Sequence, residues 1–208
     1  MSLIVHHLNN SRSQRILWLL EEIGAPYEIR HHQRDVVTNL APPELLAVHP
    51  LGKSPVIEDN GRTVYESAAI CEYLCERHGG GHLVPERGSD AHVRYTELMH
   101  FAEGSAMTPI LLSLYIGRLG EAAAPLLPRI EQQLESHFAF MENELGASGC
   151  CVGDSLTAAD VMLSFPAEVA VMQGRAADKR KLTAFVHWLH ARPAWQRARE
   201  KGGAYYGF

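Results

Sequence analysis

The stretch Leu51–Tyr73, LGKSPVIEDNGRTVYESAAICEY, constrains the fold of this chain more than any other. Gly52 and Pro55 frame a turn. Pro55-Val56-Ile57 opens a short apolar strand, and Asn60-Gly61 supplies the residues of a tight hairpin turn into Thr63-Val64-Tyr65. Glu66-Ser67 then starts a helix, with Ala68, Ala69 and Ile70 behind it. A hairpin that runs directly into a helix leaves unpaired N–H groups and a positive dipole end facing outward, ready for a carboxylate. A turn proline just before the first strand exposes backbone groups of its neighbour. The two features together suit one small peptide that bears a carboxylate.

Upstream, Leu3-Ile4-Val5 reads as a first strand, followed by the polar loop HLNNSRSQR. Ile16, Leu17, Leu19, Leu20 and Ile23 then recur at helical spacing as far as Gly24, a natural stop. Asn10, Ser11 and Ser13 are the possible capping residues of that helix. Pro26-Tyr27-Glu28-Ile29 alternates like a second strand, and Pro42-Pro43-Glu44-Leu45-Leu46 reads as a short helix with proline in its first turn. With a third helix from Ser67 to about Arg77, the order is β-α-β-α-β-β-α. The strand–helix–strand start requires a parallel pair and the Asn-Gly turn an antiparallel one, so a mixed four-stranded sheet covered by helices is expected.

Gly79-Gly80-Gly81 and Pro85-Glu86-Arg87-Gly88 break all periodicity and mark a boundary. Two domains are expected, residues 1–80 and 88–208 with 81–87 as linker, the first α/β and the second all-α. Residues 90–116 carry an apolar helical series in which Pro109 predicts a kink or break. Ile130, Leu134, Phe138, Met141 and Leu145 form a regular stripe ending at Gly146. Thr157 and Asp160 fit a capping box, with Leu156 and Val161 at the two positions of a hydrophobic staple, opening a helix from Ala158 to about Val171.

Charge and composition narrow the function. The balance of 19 basic to 24 acidic residues gives a net charge of −5 with no basic block, which argues against nucleic acid as a partner. No apolar run approaches the roughly 20 residues of a membrane helix, and MSLIVHH lacks the parts of a signal peptide, so a cytoplasmic location away from membranes is expected. Cys71 and Cys75 lie four apart and Cys150 and Cys151 are adjacent, spacings that suit small buried thiols in a reducing compartment rather than a disulfide framework. His6-His7 and His31-His32 are adjacent pairs that point to opposite sides of a strand, and His187 with His190 lacks a third ligand, so no metal site is expected.

With the strand order, the Gly-Pro turn, the Glu-Ser helix start and the capping box in hand, the chain resembles a cytosolic glutathione S-transferase over nearly its whole length. LGKSP, ESAAICEYL and LTAADVML carry the likeness by their order and spacing. SRSQRILWLLEE, APPELLAVHPLGKSP and HFAEGSAMTP look most like the serine-type bacterial and fungal branch, near the theta-like enzymes. The resemblance implies a thioredoxin-like domain followed by an all-helical one. It also implies a homodimer, with glutathione as co-substrate, a small hydrophobic electrophile as second substrate, and no prosthetic group.

Carried over position by position, Pro55 matches the family's cis-proline, and Ser54 before it would pair by backbone with the cysteinyl part of glutathione. Glu66 and Ser67 match the pair that holds the γ-glutamyl end. Lys53 matches a position that often reaches the glycine carboxylate, whereas the basic or His contact expected near residue 40 is replaced by Leu40. Ser11 is the expected catalytic residue, with Ser13 its rival and Asn10 third. A thiol of ordinary pKa, about 8.5, is mostly protonated at neutral pH. A hydroxyl donating to sulfur at the positive end of a helix lowers that pKa. Arg12 adds positive charge nearby. Glu103 falls where theta-like relatives place an acidic residue that reaches the partner's glutathione, and Met107, Leu111 and Tyr115 are the expected hydrophobic-site residues. Conjugation to electrophiles is the leading activity. Glutathione-dependent peroxide reduction or isomerisation, and non-catalytic glutathione binding on the same fold, are the alternatives.

Overall fold

A computed structural model describes residues 3–205. Its sheet has the strand order β2-β1-β3-β4, built from β1 (Leu3–Leu8), β2 (Glu28–His32), β3 (Val56–Asp59) and β4 (Arg62–Tyr65). β1 runs parallel to β2 and antiparallel to β3, and β3 is antiparallel to β4. This is the mixed sheet that the sequence predicts. At the hairpin turn Asn60 and Gly61 both have positive φ, 49° and 84°, the backbone that a two-residue turn matching strand twist requires. The second strand lies later than the predicted 26–29. It continues through His31 and His32, whose rings pack on their β1 neighbours His7 and His6.

Three helices belong with this sheet: α1 (Ser13–Ile23), α2 (Glu44–Val48) and α3 (Ser67–Arg77). α1 is buried from Ser13 to Leu20, because one side covers β1 and other sides meet further helices. Gly24 closes it with φ 74°. Asp59 at the end of β3 accepts from the Tyr73 hydroxyl at 3.0 Å and bonds His78 Nε2 at 2.8 Å, which ties α3 to the sheet.

The chain forms two compact units. One reaches to Val84 and includes the segment from His190 onward, and the other spans Pro85–Leu189. The last helix of the segment expected as the helical domain, 88–208, packs with the α/β unit. That helix, α9 (Pro193–Gly202), lies on α1 and buries Ala194, Trp195, Ala198 and Gly202 at helical spacing. Arg192 makes a two-pronged pair with Glu22 at 2.5 and 2.9 Å, Arg197 meets Glu21 at 2.7 Å, and Lys201 also bonds Glu21. Gly202 packs tightly: a Cβ there would lie 2.7 Å from Gln14 Oε1, 2.9 Å from Leu17 Cδ1 and 3.2 Å from His7 Nε2.

The Pro85–Leu189 unit is helical, with α4 (Asp90–Phe101), α5 (Met107–Ile116), α6 (Leu127–Glu144), α7 (Ala158–Met172) and most of α8 (Arg180–Ala191). Between α4 and α5 the chain widens into a π-helical turn, Ala102–Ala106. Pro109 is the physical reason: it has no N–H for the Ser105 carbonyl and its ring crowds that oxygen, so the predicted break appears as a bulge just upstream. The α6 stripe of Ile130, Leu134, Phe138 and Met141 is buried as predicted. α7 is buried from Ala158 to Ala170 and opens with the predicted capping box. Asp160, itself fully buried, accepts from the Thr157 N–H at 2.7 Å and the Thr157 hydroxyl at 2.9 Å, and its second oxygen accepts from the Cys151 N–H at 2.7 Å.

Two stability predictions follow from this packing. Asp160→Ala removes the cap and strands two buried backbone N–H groups, so urea denaturation is expected to show a loss of about 3 kcal/mol. His7 is buried in β1, and that burial, reinforced by the neighbouring His31 and His32, lowers its pKa to about 4, although the Gly202 carbonyl opposes the shift. The unfolded chain takes up a proton on His7 near pH 6.5 and the folded chain does not, so stability contributed by neutral His7 is full above pH 6.5 and is lost as pH falls toward 4. Between pH 7 and pH 5 the protein should lose about 2 kcal/mol more than a His7→Asn variant in paired denaturation curves.

Candidate functional site

Strand register decides which loops meet. His6 pairs with Val56, and Val56 pairs with Tyr65. Because β1 and β4 both run antiparallel to β3, the end of β1, the start of β3 and the end of β4 share one edge of the sheet. The residues that follow or precede those ends are Ser11, Ser54-Pro55 and Glu66-Ser67. Three segments thus converge, Ser54 lying 43 residues after Ser11 and Glu66 a further 12 residues on.

The Ser54–Pro55 peptide is cis. The Ser54 hydroxyl donates to the His6 carbonyl at 2.8 Å, so its side chain is spent on β1 and its backbone is what remains to offer a ligand. The hydroxyl thus serves as a tie between turn and strand. Lys53 beside it is exposed.

Glu66 precedes α3 with φ 69° and ψ 123°, a backbone that a glutamate adopts only at a cost of about 1–3 kcal/mol. That conformation breaks the path of β4 abruptly and sets Ser67 as the first residue of the helix. Ser67 is buried and Glu66 is exposed. The first intrahelical bond runs from the Ile70 N–H to the Glu66 carbonyl at 2.9 Å, so the amides of Ser67, Ala68 and Ala69 stand ahead of the helix ladder. Amides at a helix start attract anions, and a carboxylate meeting the Ser67 N–H and hydroxyl is held by charge-assisted bonds. Glu66 supplies the opposite charge for an ammonium.

The loop from Asn9 to Arg12 joins β1 to α1. Asn10 has φ 48°, the left-handed region that asparagine tolerates. Arg34 holds this loop from outside: its Nε and Nη2 donate to the carbonyls of Asn9 and Asn10 at 3.2 and 3.3 Å, and its own N–H meets Asn9 Oδ1 at 2.8 Å. The sequence offered no signal for Arg34, which sits in a polar stretch with no periodicity. At the loop's end the Ser11 and Ser13 hydroxyls lie 2.8 Å apart, and the Ser13 N–H donates to Ser11 Oγ at 3.2 Å. The Ser13 hydroxyl is also 2.8 Å from His7 Nδ1 and accepts from the Leu8 N–H at 3.2 Å. Ser13 is thus wholly inside and engaged on every side, whereas Ser11 stands one step nearer the loop surface.

The remaining predicted residues belong to the helical unit. Glu103 is half-buried on the π-helical turn. Met107, Leu111 and Tyr115 follow at four-residue spacing on α5. Met107 is core, Leu111 is half-buried, and Tyr115 is 56% exposed. Among the described residues no group of three His, Cys, Asp or Glu side chains is arranged to hold a metal ion, and no helix is long and apolar enough to cross a membrane.

The family model for the glutathione S-transferase N-terminal domain matches residues 11–77, which contain Ser11, Ser54-Pro55 and Glu66-Ser67. The chain is 32% identical over 216 residues to glutathione S-transferase 3 of Schizosaccharomyces pombe, covering 96% of this chain and 87% of that protein. It is 27% identical over 223 residues to glutathione S-transferase 1 of Saccharomyces cerevisiae, covering 96% and 95%. Among solved structures, a glutathione S-transferase from Actinobacillus pleuropneumoniae superposes with a TM-score of 0.87 at 31% identity, over 99% of this chain and 94% of that one. Likeness at this level runs through both units as well as the loops at the sheet edge, and on that basis the chain belongs to the glutathione S-transferase family.

Proposed function

We propose that the protein is a glutathione transferase of the serine-type, theta-like branch, which binds glutathione as co-substrate and activates it as thiolate for attack on a hydrophobic electrophile. The convergence of Ser11, Ser54-Pro55 and Glu66-Ser67 on one sheet edge carries this reading. In the proposed complex Ser67 and the start of α3 hold the γ-glutamyl carboxylate, Glu66 faces its ammonium, and the Ser54 backbone pairs with the cysteinyl residue. Exposed Lys53 reaches the glycine end. This orientation aims the thiol at the β1–α1 loop. There the Ser11 hydroxyl donates to sulfur and stabilises the thiolate without being acylated. The full engagement of Ser13 with His7, Leu8 and Ser11 supports Ser11 over its rival.

Met107, Leu111 and Tyr115 are the residues proposed to meet the electrophile, and Glu103 is proposed to reach the partner's glutathione in a homodimer. All four cysteines are buried thiols rather than disulfides, which fits a reducing, cytoplasmic setting. Residues 1–80 serve as the glutathione-binding domain and the helical residues from 88 onward as the second domain, with α9 packed on the first.

Ser11→Ala is expected to lower turnover of a generic aryl halide about a hundredfold while the protein still binds immobilised glutathione. Equal turnover in the variant across a pH series rejects the role of Ser11. Ser67→Ala removes a hydroxyl that would bond a charged group, so KM for glutathione should rise about tenfold or more with kcat little changed. Wild-type protein that binds glutathione but turns over neither electrophiles nor peroxides would instead be a binding protein on the same fold, and turnover of peroxides alone would make it a peroxidase.

A further inference from the structure

A continuous line of hydrogen bonds runs from the end of α9 to the β1–α1 loop. His7 Nε2 lies 3.1 Å from the Gly202 carbonyl oxygen, His7 Nδ1 lies 2.8 Å from Ser13 Oγ, and Ser13 Oγ lies 2.8 Å from Ser11 Oγ. We propose that His7 and Ser13 are positioning residues for thiol activation, holding the Ser11 oxygen in place through this line of bonds. The inference rests on the reading of Ser11 given above.

The direction of each bond follows from elementary donor and acceptor chemistry. A carbonyl only accepts, so His7 Nε2 carries the hydrogen that meets Gly202. The ring is neutral in this buried position, which leaves a lone pair on Nδ1. Ser13 fills it with its single hydroxyl proton. The Leu8 carbonyl, 3.2 Å away, is the longer alternative for that proton. Ser13 Oγ then accepts from the Leu8 N–H and has a lone pair toward Ser11. Only the Ser11 proton is left to occupy the 2.8 Å gap between the two hydroxyls. Ser11 Oγ in turn accepts from the Ser13 N–H. The Ser11 oxygen is therefore fixed by two contacts to Ser13, and one lone pair remains for a ligand.

This arrangement suits a thiol that becomes a thiolate. The thiol S–H donates to the Ser11 lone pair. When the thiol proton leaves to solvent, the Ser11 O–H turns about its Cβ–Oγ bond from Ser13 to the negative sulfur, and the oxygen stays where it was. A neutral bond is exchanged for a charge-assisted one. Ser13 keeps its proton on His7 and its bond from Leu8, so the exchange strands no buried donor. The groups that face His7 are the His31 ring, edge-on at 5.8 Å, the His32 ring, Ser13 and the Gly202 carbonyl. Without the imidazole the acceptor left to Ser13 is the Leu8 carbonyl at 3.2 Å, against 2.8 Å to His7 Nδ1.

Without the imidazole, Ser13 has room to change rotamer and Ser11 loses its fixed neighbour. His7→Leu is expected to lower kcat about tenfold and to raise the pKa of enzyme-bound glutathione, read from thiolate ultraviolet absorbance, by about one unit toward that of the free thiol. His7→Asn places an acceptor oxygen near the former Nδ1 but falls short of Gly202. It should melt as low as His7→Leu yet keep kcat within about threefold of wild type, which separates positioning of Ser11 from anchoring of α9. The double variant Ser11→Ala/His7→Leu should be no slower than Ser11→Ala alone. Wild-type kcat and thiol pKa in folded His7→Leu would overturn the inference, as would an Asn variant as slow as the Leu variant, or a further loss in the double variant. Should Ser11→Ala itself retain full activity, the reading of Ser11 fails first and these outcomes identify that case.

Discussion

Register along β3 is the constraint on which the rest of this structure depends. β3 is only four residues long, yet it pairs with β1 on one side and β4 on the other, and both pairings are antiparallel. Val56 and Ile57 point to opposite faces of the sheet and both are buried, so a slip of one residue would exchange the side chains that each face packs. The Asn60-Gly61 turn and burial of Val56 and Ile57 hold the register against that slip. Once it is held, the chain has no choice about where Ser54, Glu66 and the loop after Leu8 emerge. The meeting of these three segments is a consequence of strand pairing.

The second determinant is the double burial of α1. A helix with buried residues on every side must be covered by more than the sheet, and α9 supplies the cover from the far end of the chain. Its attachment is partly ionic, through Glu21 and Glu22, and partly a close backbone approach at Gly202 that leaves no space for a side chain. Surface ion pairs of this kind contribute little singly, so packing of Trp195, Ala194 and Ala198 carries most of the association. The same contact delivers the Gly202 carbonyl to His7. Cover for the core and support for the loop at Ser11 thus come from one helix.

Much of this was legible in the sequence. The hairpin turn, the α3 start, the α6 stripe and the Thr157–Asp160 box are local devices whose residues announce them, and each appears where its pattern put it. The edge strand β2 was displaced because its second half is histidine, which carries no hydrophobic alternation although the rings pack on β1. The destination of α9 was not legible because helical periodicity says which face is buried and not which partner buries it. The parts played by Arg34 and His7 were not legible for a related reason. Their roles are set by long-range contacts, to loop carbonyls in one case and to Ser13 and Gly202 in the other, and a single polar residue in a strand or loop gives no sign of such a partner.

A crystal structure of the protein with glutathione bound tests the central claim most directly. The sulfur is predicted to lie within hydrogen-bonding distance of Ser11 Oγ, with the γ-glutamyl carboxylate on the Ser67 N–H and hydroxyl and the cysteinyl backbone paired with Ser54. A tripeptide bound away from this sheet edge, or one whose sulfur faces Asn10 or Ser13 while Ser11 stays turned to the interior, would contradict it.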